Sequence, residues 1–169
     1  RSECTDDSPI FIVGMLRSGS TLTEQIIDAH PLAAGLGEID TLPTISAGLN
    51  EILGTALPYP ACLGETNEAS LTTASNIYLD DTRHRAPKAL KRVDKQLGNF
   101  MNLGLAQAML PGVRVIHCLR HPMDLGLSTW TNKFPPDQCV WSDTLEDIGD
   151  TWHRYTDLMR HWESSCSMP

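Results

Sequence analysis

Between Gly14 and Thr21 the chain reads GMLRSGST, and residues of these types at this spacing can hold an anion. The apolar run Ile10 to Val13 precedes Gly14, and a helical pattern follows Gly19. A buried strand that turns through glycines into a helix offers unpaired amides and the positive end of the helix dipole. Arg17 adds a full charge, and Ser18, Ser20 and Thr21 add hydroxyl donors. Gly14, Gly19 and Thr21 fit the phosphate-loop spacing G-x-x-x-x-G-K-[ST], but Ser20 stands where that pattern has lysine. That lysine normally bridges the β- and γ-phosphates, so its absence disfavours ATP or GTP hydrolysis. No apolar run ends in an Asp that could serve magnesium, because VRVIHC leads instead to Arg120.

Arg120 supplies a second anion point at the carboxyl end of that later strand. Ser128 follows it two turns into the next helix. A guanidinium suits bidentate phosphate recognition. In a parallel sheet both residues share an edge with the first loop, which fits a nucleotide with phosphates at both ends.

Those residues need a frame. Pro9 to Gly14 is apolar throughout, as parallel-sheet strands are. The first helix is expected from about Ser18 or Gly19 to Ala29, with Leu22, Ile26 and Ile27 as its buried stripe and Pro31 as its stop. Leu32 to Gly37 reads as a short strand leading to Glu38. Leu42, Ile45, Leu49, Ile52 and Leu53 then follow a helical spacing, with Pro43 in the first turn. GTALPYPACLGE is a loop, and Asn67 to Asp80 a weaker helix.

Arg83, Arg85, Lys88, Lys91 and Arg92 form a basic patch read as a solvated face. NFMNLGLAQAML is a helix closed by Pro111-Gly112, and Val113 to Cys118 is the next strand. Pro122 opens a helix to about Asn132. Phe134 to Asp143 is loop, and Leu145 to Trp162 an amphipathic helix. Trp130, Trp141, Trp152 and Trp162 are expected to pack in the core or between helices. Strands separated by helices imply an α/β fold with a parallel sheet, and ligands at the strands' carboxyl ends.

Composition bounds the rest. The 169 residues, 41% hydrophobic and 20% charged, are enough for one domain with a real core. A net charge of −8 disfavours nucleic acid and anionic membranes as partners. The five cysteines are scattered and give neither a disulfide framework nor a zinc pattern. His117 and His121 are unsuited to share a helical face beside Pro122, so no metal is expected. RSECTDDS, residues 1–8, reads as an acidic, flexible lead-in without secretory signal features, ahead of a domain at 9–169. No apolar run can span a bilayer. The expected location is cytoplasmic, and the missing initiator Met points to a piece of a longer chain.

RSGST after an apolar strand, with RHPMDLGLS after a later one, resembles the sulfotransferase superfamily, whose members use 3′-phosphoadenosine 5′-phosphosulfate (PAPS). DKQLGNFMNLGLAQAMLPGVRVIHCLRHPMD and the LEDIGDTWHRY helix are similar to its tyrosylprotein-sulfotransferase-like branch, which includes bacterial enzymes that often follow tetratricopeptide repeats. The resemblance implies a P-loop-like three-layer fold and a possible N-terminal repeat domain.

It also implies roles. Leu16, Arg17, Ser18, Gly19, Ser20, Thr21 and Leu22 would hold the 5′-phosphosulfate, and Arg120 with Ser128 the 3′-phosphate. Glu38, in LGEI, falls at the general base, and Lys95, in VDKQ, beside the sulfate. Arg17 and Lys95 would stabilise charge there. The acceptor would be a hydroxyl on a peptide tyrosine, a carbohydrate or a small molecule, with no metal. Three departures stand out: Leu16 replaces a usual proline, Gln96-Leu97 interrupts DK-x-P, and the chain ends before the family's C-terminal segment. A degenerate nucleotide-dependent kinase and a truncated anion-binding domain without turnover are the two other readings.

Overall fold

The computed structural model describes residues 1–132, 134 and 139–166. Four strands form one parallel sheet: β1 (Pro9–Gly14), β2 (Ala33–Gly35), β3 (Lys91–Asp94) and β4 (Arg114–Cys118), in the order β2-β3-β1-β4. The most apolar strand is therefore central, where it is covered on both faces. Phe11 and Val13 point into the main core, and Ile12, on the opposite face, is also fully buried.

Helices connect the strands. The helix α1 (Ser20–Asp28) follows β1, and α2 (Thr41–Ala47), α3 (Leu49–Leu53) and α4 (Glu68–Arg85) lie between β2 and β3. Next come α5 (Leu103–Met109) before β4, then α6 (Pro122–Trp130) and α7 (Leu145–Ser165). Leu42, Leu49, Tyr78, Leu105 and Met109 bring α2 to α5 onto Phe11 and Val13. Phe11 and Tyr78 meet edge to face with ring centres 5.5 Å apart, worth about 1 kcal/mol beyond burial. Asn67 caps α4 by accepting from the Ser70 amide, while Ser70 Oγ accepts from the Asn67 amide. Pro122 occupies the first turn of α6, and His121 Nδ1 accepts from the Met123 amide.

Several expectations need correction. The basic patch hides a strand: β3 runs through it, and Arg92 is buried, donating to Ser8 Oγ and the Ala86 carbonyl. Arg83, Arg85 and Lys91 are not a bare solvated face but pair with Asp6, Asp81 and Asp7. The lead-in is pinned. Ser2 donates from its amide to Ala108 and from its hydroxyl to Met109, and Ser8 accepts from the Arg92 amide. It lacks regular secondary structure: side chains of its own, Ser2 and Asp6, accept from the Cys4 and Ser8 amides, and its other partners come from α4, α5, β3 and β4.

The apolar stripe expected under α1 is open instead: Leu22 is 62% and Ile26 66% exposed, and only Ser20 of that helix is buried. Leu22 faces away because its helix lies on the sheet through its other side, where Glu24 and Asp28 donate no apolar surface but accept from the Gly37 and Gly35 amides. Trp130 is likewise half exposed, whereas Trp141, Trp152 and Trp162 pack against the core. The single helix expected from Leu42 to Leu53 is broken at Gly48 into α2 and α3. A 3-10 turn, Val140–Ser142, occupies part of the expected late loop, whose stretch 135–138 lies outside the described residues.

Candidate active site

Each strand delivers part of one site at its carboxyl end. Gly14 of β1 leads into the Arg17 loop, Gly35 of β2 into Glu38, Asp94 of β3 into Lys95, and Cys118 of β4 into Arg120. A parallel sheet points all four ends to one edge, where such folds bind ligands. A cavity of about 400 Å³ opens there, lined by Leu16, Arg17, Ser18, Gly19, Ser20, Thr21, Glu38, Leu97 and Arg120.

The loop has the backbone of an anion cradle. Arg17 (φ 68°) and Gly19 (φ 99°) are both left-handed, which for Arg17 is a strained state of the kind found at functional sites. Gly19 starts α1 without any side-chain cap, so the first-turn amides face the cavity uncovered by the protein. Ser18 is buried against the cavity, and its Oγ has no partner among the described residues. A buried hydroxyl without a hydrogen bond is costly, and an anion in the loop would satisfy it. Gly14 is required beside it: a Cβ there would lie 2.6 Å from Ser18 Oγ and 2.9 Å from the Cys118 carbonyl oxygen.

The two anion points interlock. Arg120 Nη1 donates to the Arg17 carbonyl at 3.0 Å, and Arg17 Nε donates to Ser128 Oγ at 3.1 Å. Loop, β4 exit and α6 are thus tied across more than a hundred residues of sequence. Leu22, expected among the nucleotide contacts, does not line the cavity, and its side chain turns to solvent. Ser128 stands behind Arg17 rather than on the cavity wall.

Glu38 lines the same cavity as the loop, with its side chain 56% exposed. Lys95 Nζ donates to Glu38 Oε1 at 2.5 Å, and among the described residues Oε2 has no partner. The ammonium itself is nearly buried, and Lys95 is not a lining residue. Its backbone is fixed by donation from its amide to the Gly37 carbonyl. Beneath it sits Asp94, fully buried, accepting from the Gln96 amide, Tyr78 Oη and Asn99 Nδ2. Burial raises the Asp94 carboxyl to about 7 against the pull of those three donors, and the charge of Glu24 adds to the rise.

A model of the sulfotransferase family matches residues 9–168. The chain belongs to the sulfotransferase family. An uncharacterized protein of Aquifex aeolicus (strain VF5) is 32% identical over 164 residues, which is 91% of this chain and 21% of the relative. The chain thus spans about one fifth of that relative's length.

Of the positions read from sequence, the loop from Leu16 to Thr21, Glu38 and Arg120 share one cavity, whereas Leu22, Lys95 and Ser128 do not line it. Sequence reading missed Asp94, Tyr78 and Asn99. The pattern VDKQ held a signal for Asp94, since an Asp ending a buried strand needs donors, but not for which residues supply them. Leu97, part of the interruption of DK-x-P, turns out to line the cavity. No helix among the described residues is long and apolar enough to cross a membrane.

Proposed function

We propose that this sulfotransferase moves a sulfuryl group from PAPS to a hydroxyl acceptor, with Glu38 as general base. One observation carries the reading: Glu38 and the uncapped loop from Leu16 to Thr21 line a single cavity that Arg120 also lines. The loop fits an anionic group because Ser18 Oγ is buried without a partner among the described residues and the adjacent Gly14 leaves the space for it. Ser20 in place of the loop lysine weighs against the kinase reading, since no lysine among the described residues lines the cavity.

PAPS, when bound, supplies an activated sulfuryl group whose leaving group is a phosphate. The first-turn amides of α1, Arg17 and the Ser18, Ser20 and Thr21 hydroxyls face its negative oxygens and hold them in place. Arg120 takes the 3′-phosphate, which distinguishes this nucleotide from ADP or ATP, and Ser128 supports the site from behind by accepting from Arg17 Nε. Glu38 Oε2 accepts the proton of the acceptor hydroxyl as that oxygen attacks. Lys95 holds Oε1 and so aims Oε2, and its charge lies one contact from the reacting centre.

Calorimetry with 3′-phosphoadenosine 5′-phosphate (PAP) and ADP tests the donor. PAP is expected to bind at least tenfold more tightly, and equal affinities would sink the double-phosphate reading. Transfer from labelled PAPS to a hydroxyl panel, with Glu38→Gln alongside, tests the base. Measurable transfer unaffected by that substitution would remove Glu38 from the role.

A further inference from the structure

Glu38 belongs to two cavities. Behind it, away from the loop, lies a second one of about 420 Å³, within the range that holds small ligands. Its walls come from α2 and α4. Ile45 and Ile39 are buried at its base, and Ile77 leaves 45% of its surface open, an aliphatic face with no protein cover. Thr41 and Thr44 add hydroxyls.

The charges on this cavity are one-sided. Glu38, Asp40 and Asp81 contribute three carboxylates, and Arg85 is its one cation among the described residues. Arg85 Nε is committed to Asp81 Oδ2 at 2.9 Å, and Asp81 also accepts from Thr41 Oγ1. Asp81 is held below the usual carboxylate range, first by the Arg85 hydrogen bond and also by Thr41, so it stays ionised. Lys95 is bound to Glu38 beneath the surface and does not line this cavity. Arg83, in the same turn as Arg85, turns to Asp6 and Asp80 instead.

We infer that this cavity is the acceptor site and that it selects alcohols or phenols with an apolar body and no negative charge, cationic ones included. The inference rests on Glu38 being the base, because Glu38 is the wall through which the acceptor's oxygen would reach the donor cavity. An apolar body covers Ile77 and Ile45, which returns free energy by taking those side chains out of water. A carboxylate or sulfate on the acceptor meets Asp40 and Asp81, and the one cation among the described lining residues, Arg85, already holds Asp81 through Nε. An ammonium meets the same carboxylates favourably.

The test is a matched phenol series: tyramine, 4-ethylphenol and 4-hydroxyphenylacetate, each with labelled PAPS and each titrated by calorimetry into the PAP-saturated protein. Tyramine and 4-ethylphenol are expected to exceed 4-hydroxyphenylacetate at least tenfold in kcat/KM and in affinity. Ile77→Asn should raise the KM for 4-ethylphenol about tenfold while PAP affinity stays constant. Asp81→Asn, which releases Arg85, should narrow the penalty on 4-hydroxyphenylacetate several-fold. An anionic phenol bound or turned over as well as its neutral partner would overturn the inference, as would an Ile77→Asn protein with unchanged acceptor KM. If instead none of the phenols nor any other alcohol is sulfated and PAP fails to bind, it is the sulfotransferase reading of the site that fails. Binding of the series without turnover would still decide the charge preference.

Discussion

Lys95 Nζ stands 2.5 Å from Glu38 Oε1, although the two residues are 57 positions apart and follow different strands. The contact exists because β2 and β3 are parallel neighbours, so the segments leaving their carboxyl ends run side by side. It fixes one carboxylate oxygen and, among the described residues, leaves the other without a partner. If Glu38 is the base, Glu38→Gln should lower kcat by about 10²- to 10⁴-fold, the usual weight of a general base. PAP affinity should hardly move. Lys95→Met should lower kcat at least tenfold with the same unchanged PAP affinity, and Lys95→Arg should restore part of the loss. A variant that weakened PAP binding as much as turnover would place the lysine on the nucleotide instead.

Arg120 is tied to the loop through the Arg17 carbonyl, so its removal tests both phosphate recognition and loop shape. A hydrogen bond to a charged group is worth about 1.5–3 kcal/mol. Arg120→Ala is therefore expected to weaken PAP by roughly 10- to 100-fold and ADP by much less, measured by calorimetry on both ligands. Equal losses would mean that Arg120 only supports the loop.

Gly14 is the backbone element with least room. Its missing Cβ would meet both Ser18 Oγ and the Cys118 carbonyl within 3 Å, and the latter is part of the sheet and unable to retreat. Gly14→Ala should cost about 1–3 kcal/mol of stability in urea titration, as overpacked positions do. It should also abolish PAP binding because Ser18 must turn. Wild-type stability with intact PAP binding would show that the loop has slack it is not seen to have.

The elements that could be read in the sequence are those whose stabilisation is local. The β1–loop–α1 unit announces itself because an unbroken apolar run, two spaced glycines and a helix start lie within one stretch. The same holds for β4 and the Pro122 turn. The strand β3 was illegible for the opposite reason: Lys91, Arg92 and Asp94 are polar, and the burial of Arg92 and Asp94 is made possible by Ser8, Tyr78 and Asn99 from elsewhere. The outward face of α1 misled in the other direction, because helical spacing of Leu22 and Ile26 says nothing about what covers them. In the site, residue types identified the anion points, but only the fold revealed that Glu38 borders two cavities.

The lead-in makes a measurable contribution. Ser2 gives two hydrogen bonds to the carbonyls of Ala108 and Met109, about 1 kcal/mol each, while the exposed pairs of Asp6 and Asp7 add little. Deleting residues 1–7 should lower Tm by about 4–8 °C for a domain of this size. An unchanged Tm would mean that the segment only rests on the surface.

Asp94 gives the pH dependence. Its carboxyl titrates at about 7 in the folded chain against 3.8 ordinarily, so between those values the folded state binds a proton that the unfolded state has lost. Stability contributed by this group is full below about pH 4 and declines as pH rises through 7, by up to about 4 kcal/mol. Asp6 and Asp81, held low, have the opposite sign, losing stability only as pH falls below the ordinary carboxylate range. Asp94→Asn keeps the shape and the bond from the Gln96 amide but removes the titration. The wild-type chain should therefore lose stability relative to this variant as pH rises from 4 to 8, measured by urea titration of both proteins. Because an amide nitrogen in place of Oδ2 would face the Tyr78 and Asn99 donors, the variant starts from a lower stability, and it is the change with pH, not the absolute value, that reports the titration. Parallel stability curves for the two proteins would show that Asp94 does not titrate in this range.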